Sequence, residues 1–357
     1  MEPRLDSEAW REVVNRLGGE AELARSAVEQ KALVRSRGVR SPTDLLWLAL
    51  TYGPGGHSLR TTAALAAMAG VADISDVALM KRIAGAADWL SCLCAKQLGK
   101  VPNSQGNAPK LRLLDASRLE GPGKVCFRLH ACYDPVAGRI CDLDVTSMEV
   151  GEHLDALPPK AGELRIADRG YPDADSILAT RTAGADVLVR LTWNSLRLIG
   201  KDDERVDWLA LFKTANDNGH LDIDIRIAKP RGSFEPLPMR LVIVPKTPVG
   251  TVKAKCKVRR EGIKDQRRKV DPRTIAAAGY LILITSLDRN AFSLARLTNL
   301  YRVRWQIELA FKRLKSILNI DRLPAKCAPL ARAWLLAHLL LALLADDLRA
   351  ELAAIPP

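Results

Sequence analysis

The chain has 357 residues, 48% of them hydrophobic, which is enough for two or three domains and excludes an intrinsically disordered tail. Lys and Arg total 54 against 41 Asp and Glu, and the formal net charge of +13 points to a polyanionic partner, either nucleic acid or an anionic membrane surface. The start, Met1-Glu2-Pro3-Arg4-Leu5-Asp6, has no apolar signal segment, and the apolar run Ala328 to Ala345 carries Arg332 and His338, so an intracellular, cytoplasmic protein that spans no membrane is expected. Seven cysteines, with Cys92 and Cys94 in a C-x-C spacing unsuited to zinc, read as reduced, buried small residues.

Residues 1 to about 105 read as helical. Ser41-Pro42 supplies an N-cap and a first-turn proline. A helix from Ser58 to Ala69, a turn at Gly70 and a second helix from Ser75-Asp76 to about Lys96 give a helix-turn-helix outline, in which Lys81 and Arg82 can meet phosphates. Any helical bundle contains such pairs, so that outline alone does not fix DNA binding. Val101 to Lys110 has linker composition and marks a domain boundary.

Strand periodicity follows. Leu111 to Asp115, Val125 to Tyr133 and Arg139 to Val145 read as an antiparallel meander with a turn at Asp134 to Gly138. A helix is expected from Glu149 to Leu157, a strand from Glu163 to Ala167, a helix from Asp173 to Thr182 and a strand from Asp186 to Arg190. This order predicts an α/β fold: a ribonuclease H-like core (106–190 and 277–325) interrupted by a β-rich insertion (191–276), preceded by an all-helical domain (1–105), the candidate DNA-binding domain, and closed by a C-terminal helix (326–357).

Within the insertion, Lys253 to Arg273 holds ten Lys or Arg and three Asp or Glu. Lys253, Lys255, Lys257 and Arg259 alternate, which on a strand puts all four on one face. That face is either a solvated edge or, given the number of cations, a phosphate-contacting surface. Ser293 to Asn319 is expected to form one long helix. On it Tyr301, Arg304, Glu308 and Lys315 fall within about 60° of arc. Alone, that stripe could be a solvated face with ion pairs such as Glu308 with Lys312. It is joined by Asp115 and Asp168, which end strands that neighbour each other in a ribonuclease H-like sheet. Three converging carboxylates repel unless cations lie between them, and hard oxygen ligands select Mg²⁺ or Mn²⁺. Two such ions suit in-line displacement at phosphorus.

At these residues the sequence resembles the DDE transposases of bacterial insertion sequences, in the insertion sequence four family marked by Tyr-x2-Arg-x3-Glu-x6-Lys. Tyr301, Arg304, Glu308 and Lys315 match all four positions, and Leu114-Asp115-Ala116-Ser117 and Ala167-Asp168-Arg169-Gly170-Tyr171 resemble the two aspartate boxes. The resemblance covers roughly residues 40 to 345. It implies that Asp115, Asp168 and Glu308 bind two Mg²⁺ ions, with Mn²⁺ a substitute, and that Tyr301, Arg304 and Lys315 contact DNA phosphates. It implies nicking at the element's terminal inverted repeats, then transfer of the freed strand into target DNA by a homodimer on paired ends, in a nucleoid-associated protein. Lys312, Arg190, Lys255, Lys257 and Arg259 are further candidate DNA contacts, though Arg190 could equally be an ordinary strand end. Tyr280 stands where some members stack a flipped base on tryptophan, and reads as such a platform or as a plain strand aromatic. The alternatives are a non-catalytic, transposase-derived DNA-binding regulator and a simple ribonuclease H-type nuclease. The retained carboxylates speak against the first and the long basic insertion against the second.

Overall fold

A computed structural model describes residues 7–36, 38–99, 109–228, 235–264 and 270–353. The first six residues, nearly all of the expected linker and the 265–269 part of the basic span lie outside the described residues.

Six helices open the chain: α1 (Glu8–Arg16), α2 (Gly19–Glu29), α3 (Pro42–Tyr52), α4 (Leu59–Met68), α5 (Asp76–Gly85) and α6 (Ala87–Gly99). Ser41 caps α3 in a reciprocal capping box with Asp44, and Pro42 occupies the first turn, where its missing N–H is no loss. Ser58 and Ser75 cap α4 and α5, and the turn between them passes Gly70 at φ +67°, a conformation that favours glycine. The helix expected from Ser75 to Lys96 is two helices, parted at Ala86.

The strands are β1 (Lys110–Glu120), β2 (Cys126–Asp134), β3 (Arg139–Thr146), β4 (Glu163–Ala167), β5 (Asp186–Arg190), β6 (Leu198–Ile199), β7 (Leu221–Ile227), β8 (Leu237–Pro245) and β9 (Tyr280–Thr285). They form one sheet in the order β3-β2-β1-β4-β5-β9-β8-β7-β6. The meander β1–β2–β3 is antiparallel, β4 runs parallel to both β1 and β5, and β9 with β8, β7 and β6 completes an antiparallel half. The remaining helices are α7 (Ala174–Thr182), α8 (Trp208–Asp217), α9 (Pro248–Lys264), α10 (Pro272–Ala277), α11 (Leu294–Val303), α12 (Trp305–Leu318) and α13 (Ala328–Ala353).

Strand alternation divides the core in two. Leu113, Ile166, Leu188, Val242 and Leu283 face a layer made by the N-terminal helices with α11, α12 and α13. Leu114, Ala167, Val189, Ile243 and Ile284 face the other way, onto α7 and α8. Helix α13 lies in the first layer against α3, α5, α6 and β3. It is long and apolar enough to cross a membrane, yet 67% of that stretch is buried inside the protein.

Four expectations are corrected. Residues 149–157 form turns, not a helix: Gly151 and the Pro158-Pro159 pair weaken a helix there, and the carbonyls of Leu154, Leu157 and Pro158 accept instead from the buried Arg165 guanidinium. Lys253, Lys255, Lys257 and Arg259 lie on helix α9, not a strand; the run holds four Lys and two Arg, which favour helix, and Lys257 pairs with Glu261 at 3.8 Å one turn on. The alternation therefore splits into two pairs on opposite sides of a helix. The insertion is less β-rich than expected: among the described residues its helices α8, α9 and α10 hold more residues than β6, β7 and β8, which extend the same sheet. The long helix from Ser293 is broken at Arg304 into α11 and α12.

Candidate active site

Asp115 lies within β1 and Asp168 directly follows β4. These strands are parallel neighbours in the register Leu113↔Ile166, so two residues further along each strand the aspartates stand side by side. Both share the parity of Leu113 and Ile166 and face the helical layer that holds α11 and α12. The chain thus needs only two adjacent parallel strands in register to bring carboxylates 53 positions apart in sequence together.

Their surroundings differ. Burial pushes the Asp115 carboxyl up to about 6; the Ala116 N–H and the Arg304 charge oppose the rise, while the Glu152 and Glu308 charges add to it. Burial also acts to raise Asp168, but the Arg169 N–H, the charges of Arg190 and Arg304 and a hydrogen bond from Tyr301 outweigh it, and Asp168 is held below the usual carboxylate range. The Tyr301 hydroxyl donates to Asp168 Oδ1 at 2.9 Å, and Arg190 Nη1 lies 3.5 Å from the same atom. Tyr301 is only 8% exposed; burial, with the Asp168 charge, lifts its phenol to about 12. Tyr301, expected to meet DNA, here has its hydroxyl turned inward onto Asp168.

Arg304 sits at the break between α11 and α12. Its Nη2 donates to Glu308 Oε1 at 2.6 Å, its guanidinium carbon is 5.7 Å from the Tyr301 ring centre, and its buried Nε has no hydrogen-bond partner. Arg304 keeps helical dihedrals (φ −50°, ψ −31°), so the stripe survives the break. Glu308, half exposed, shares an open cleft of about 930 Å³ with Asp115, Lys312 and Lys315.

A second cavity of about 460 Å³ adjoins Asp168 and is lined by Arg190, Lys257, Lys246 and Trp193. Lys255 and Arg259 are not among its lining residues. Lys81 is exposed on α5, and Arg82 donates to the Arg35 carbonyl at 2.7 Å; neither is brought to the cleft. Tyr280 stacks on Phe212 at 4.7 Å and donates its hydroxyl to the Phe212 carbonyl, so one ring face is already covered.

Two site residues escaped the sequence reading. Glu152 lies in the 147–162 loop, and its carboxylate is pressed against Gly170, where a Cβ would stand 2.2 Å from Oε2. Lys246, at the end of β8, is held below the usual lysine range by burial and by the charges of Arg190 and Arg169. No local pattern marks either one; only the pairing of β8 with β9 and the packing of the loop bring them in.

Residues 107–344 match the transposase DDE domain. The chain belongs to the DDE transposase family. It is 37% identical over 358 residues to "Putative transposase InsL for insertion sequence element IS186A" of Escherichia coli (strain K12), covering 98% of this chain and 96% of the relative. It is likewise 37% identical over 359 residues to "Transposase for insertion sequence element IS421" of Escherichia coli, with the same coverage. A more distant relative, "Transposase for insertion sequence element IS1151" of Clostridium perfringens, is 26% identical over 173 residues, 45% of this chain and 36% of the relative. The protein is therefore a polynucleotidyl transferase of DNA transposition, with a dependence on divalent metal that comes with the family.

The transposase's residues fit such a metal. Asp115, Asp168 and Glu308 offer only hard oxygen donors, and Asp115 is a desolvated carboxyl beside two further negative charges, a setting that a divalent cation would relieve. Among the described residues no three His, Cys, Asp or Glu side chains stand together as a ready ligand set, and Glu308 is turned onto Arg304.

Proposed function

We propose that this transposase belongs to the insertion sequence four group, that Asp115, Asp168 and Glu308 hold two Mg²⁺ ions, and that the reaction nicks DNA at the element's terminal inverted repeats and joins the freed strand to target DNA. The observation that carries this reading is the register of β1 and β4, which sets Asp115 beside Asp168 on the face where Arg304 and Glu308 lie. The strand order β3-β2-β1-β4-β5 agrees with a ribonuclease H-like core. Two bound cations supply an activated attacking hydroxyl and a stabilised leaving oxygen. The chain's own residues do the rest. Tyr301 fixes the rotamer of Asp168. Lys312 and Lys315 line the cleft and hold the scissile strand by its phosphates, and Arg190 and Lys257 do so in the adjoining cavity. The helix pair α4–α5 with Lys81 and Arg82, and α9 with Lys255 and Arg259, extend the DNA contact beyond the cleft. A homodimer on paired ends, in the cytoplasm at the nucleoid, completes the proposal.

The test is cleavage and strand transfer of a DNA bearing the element's own ends, in Mg²⁺, Mn²⁺ or EDTA, with wild type and Asp115→Asn. Metal-dependent nicked and joined products that disappear in the variant are expected. Products that persist in Asp115→Asn remove that carboxylate from the site.

A further inference from the structure

We propose that Arg304 is a positioning residue that holds Glu308 out of the cation site until a DNA phosphate takes over its guanidinium, so that DNA binding and divalent-cation binding are coupled through this one side chain. The inference rests on the reading of Asp115, Asp168 and Glu308 as cation ligands.

Three observations carry it. The Arg304 guanidinium is committed to Glu308 Oε1 at 2.6 Å, and this charge pairing competes with a metal ion for the same carboxylate. Its charge also acts on both Asp115 and Asp168, so one cation faces all three carboxylates. The pairing is incomplete: Arg304 is 12% exposed in its side chain, and its Nε is buried with no acceptor, a donor whose desolvation no hydrogen bond offsets. A guanidinium with an unused donor, at the break between two helices, is poised to move to a better partner. A phosphodiester is such a partner, because it accepts two parallel N–H bonds from the planar fork. Once Arg304 turns to phosphate, Glu308 is left unpaired in the cleft that it shares with Asp115, and the repulsion between the two favours a divalent cation. By linkage the cation then favours DNA by the same factor. The cleft thus assembles its ligand set when substrate is present.

The experiment measures Mn²⁺ binding by loss of the free-ion electron paramagnetic resonance signal. It uses the full chain with and without a mixed-sequence DNA duplex, in wild type, Arg304→Ala, Arg304→Gln and Asp115→Asn. Without DNA, both Arg304 variants are expected to bind Mn²⁺ about tenfold more tightly than wild type, within the usual range of coupling between sites. With DNA, wild type is expected to reach a similar affinity. Arg304 variants that bind Mn²⁺ no better than wild type without DNA overturn the latch, and the Gln variant keeps that outcome readable should Ala disturb the fold. Wild-type affinity retained in Asp115→Asn with DNA overturns instead the assignment of the ligands on which the latch rests. A merely structural arginine gives weaker Mn²⁺ binding when removed, the opposite sign.

Discussion

Asp115 shows how a single residue is set against the fold that carries it. Its folded carboxyl is pushed up to about 6, while its ordinary value is 3.8. Between those two pH values the folded chain keeps a proton that the unfolded chain has released, so stability falls as pH rises through that window. Above it the full cost applies, about 2 kcal/mol after allowing for the partial exposure of the group. Asp115→Asn is therefore expected to be more stable than wild type at pH 8 and no more stable at pH 4, as thermal unfolding at the two pH values will show. A variant that is not stabilised at pH 8 would mean that burial is not what perturbs this carboxyl. Divalent-cation affinity is expected to rise with pH up to about 6, because the proton that the metal-free Asp115 carboxyl holds must leave before a cation binds. Asp168, held low by Arg190, Arg304 and Tyr301 despite its burial, stays ionised throughout that range.

At the scale of elements, the loop between β3 and β4 depends on one buried side chain. Arg165 is 2% exposed and bonds Glu163 as well as three loop carbonyls. Arg165→Met would leave the Glu163 charge short of a partner and the carbonyls without donors, costing about 3–5 kcal/mol. The first place to open is expected to be residues 147–162, the loop that brings Glu152 to the site. Limited proteolysis should cut the variant there before anywhere else. Cutting spread over the whole chain would mean that Arg165 supports the sheet and not the loop. This loop also accounts for a misreading: the Glu149 to Leu157 segment carries Gly151 and stops at Pro158, and its last carbonyls turn to a guanidinium from a later strand. Helix α9 is the converse case: its Lys and Arg content already favoured a helix, and an alternation of charge alone was too weak a signal to make it a strand.

The whole molecule is tied together by α13. Leu335, Leu339 and Leu340 belong to one continuous core that also contains Trp89 of α6, Leu113 of β1 and Ile307 of α12. Helix α13 therefore locks the N-terminal helices onto the sheet and onto α12. Leu340→Ala, at a fully buried position, is expected to cost about 2–5 kcal/mol. In calorimetry it should lower a single transition by several degrees; separate melting of the N-terminal helices and the sheet would show that α13 does not couple them. The same burial accounts for a stretch apolar enough for a membrane lying inside the protein.

The sequence by itself determined the helical start with its capping serines, the meander, the strands that carry Asp115 and lead into Asp168, and the spacing of Tyr301, Arg304, Glu308 and Lys315, though the first strand runs on past Asp115 to Glu120. Each of these is a local signal, a cap, a period or a fixed interval, and local signals need no knowledge of what packs where. Only the tertiary structure decided that Tyr301 turns inward to Asp168, that Arg304 holds Glu308, that Glu152 and Lys246 lie near these residues, and that strands β6, β7 and β8 extend the sheet that carries Asp115. Those outcomes depend on which side chain reaches which partner across the fold. Burial and pairing energies between distant residues settle them, and these override the propensity of any one segment.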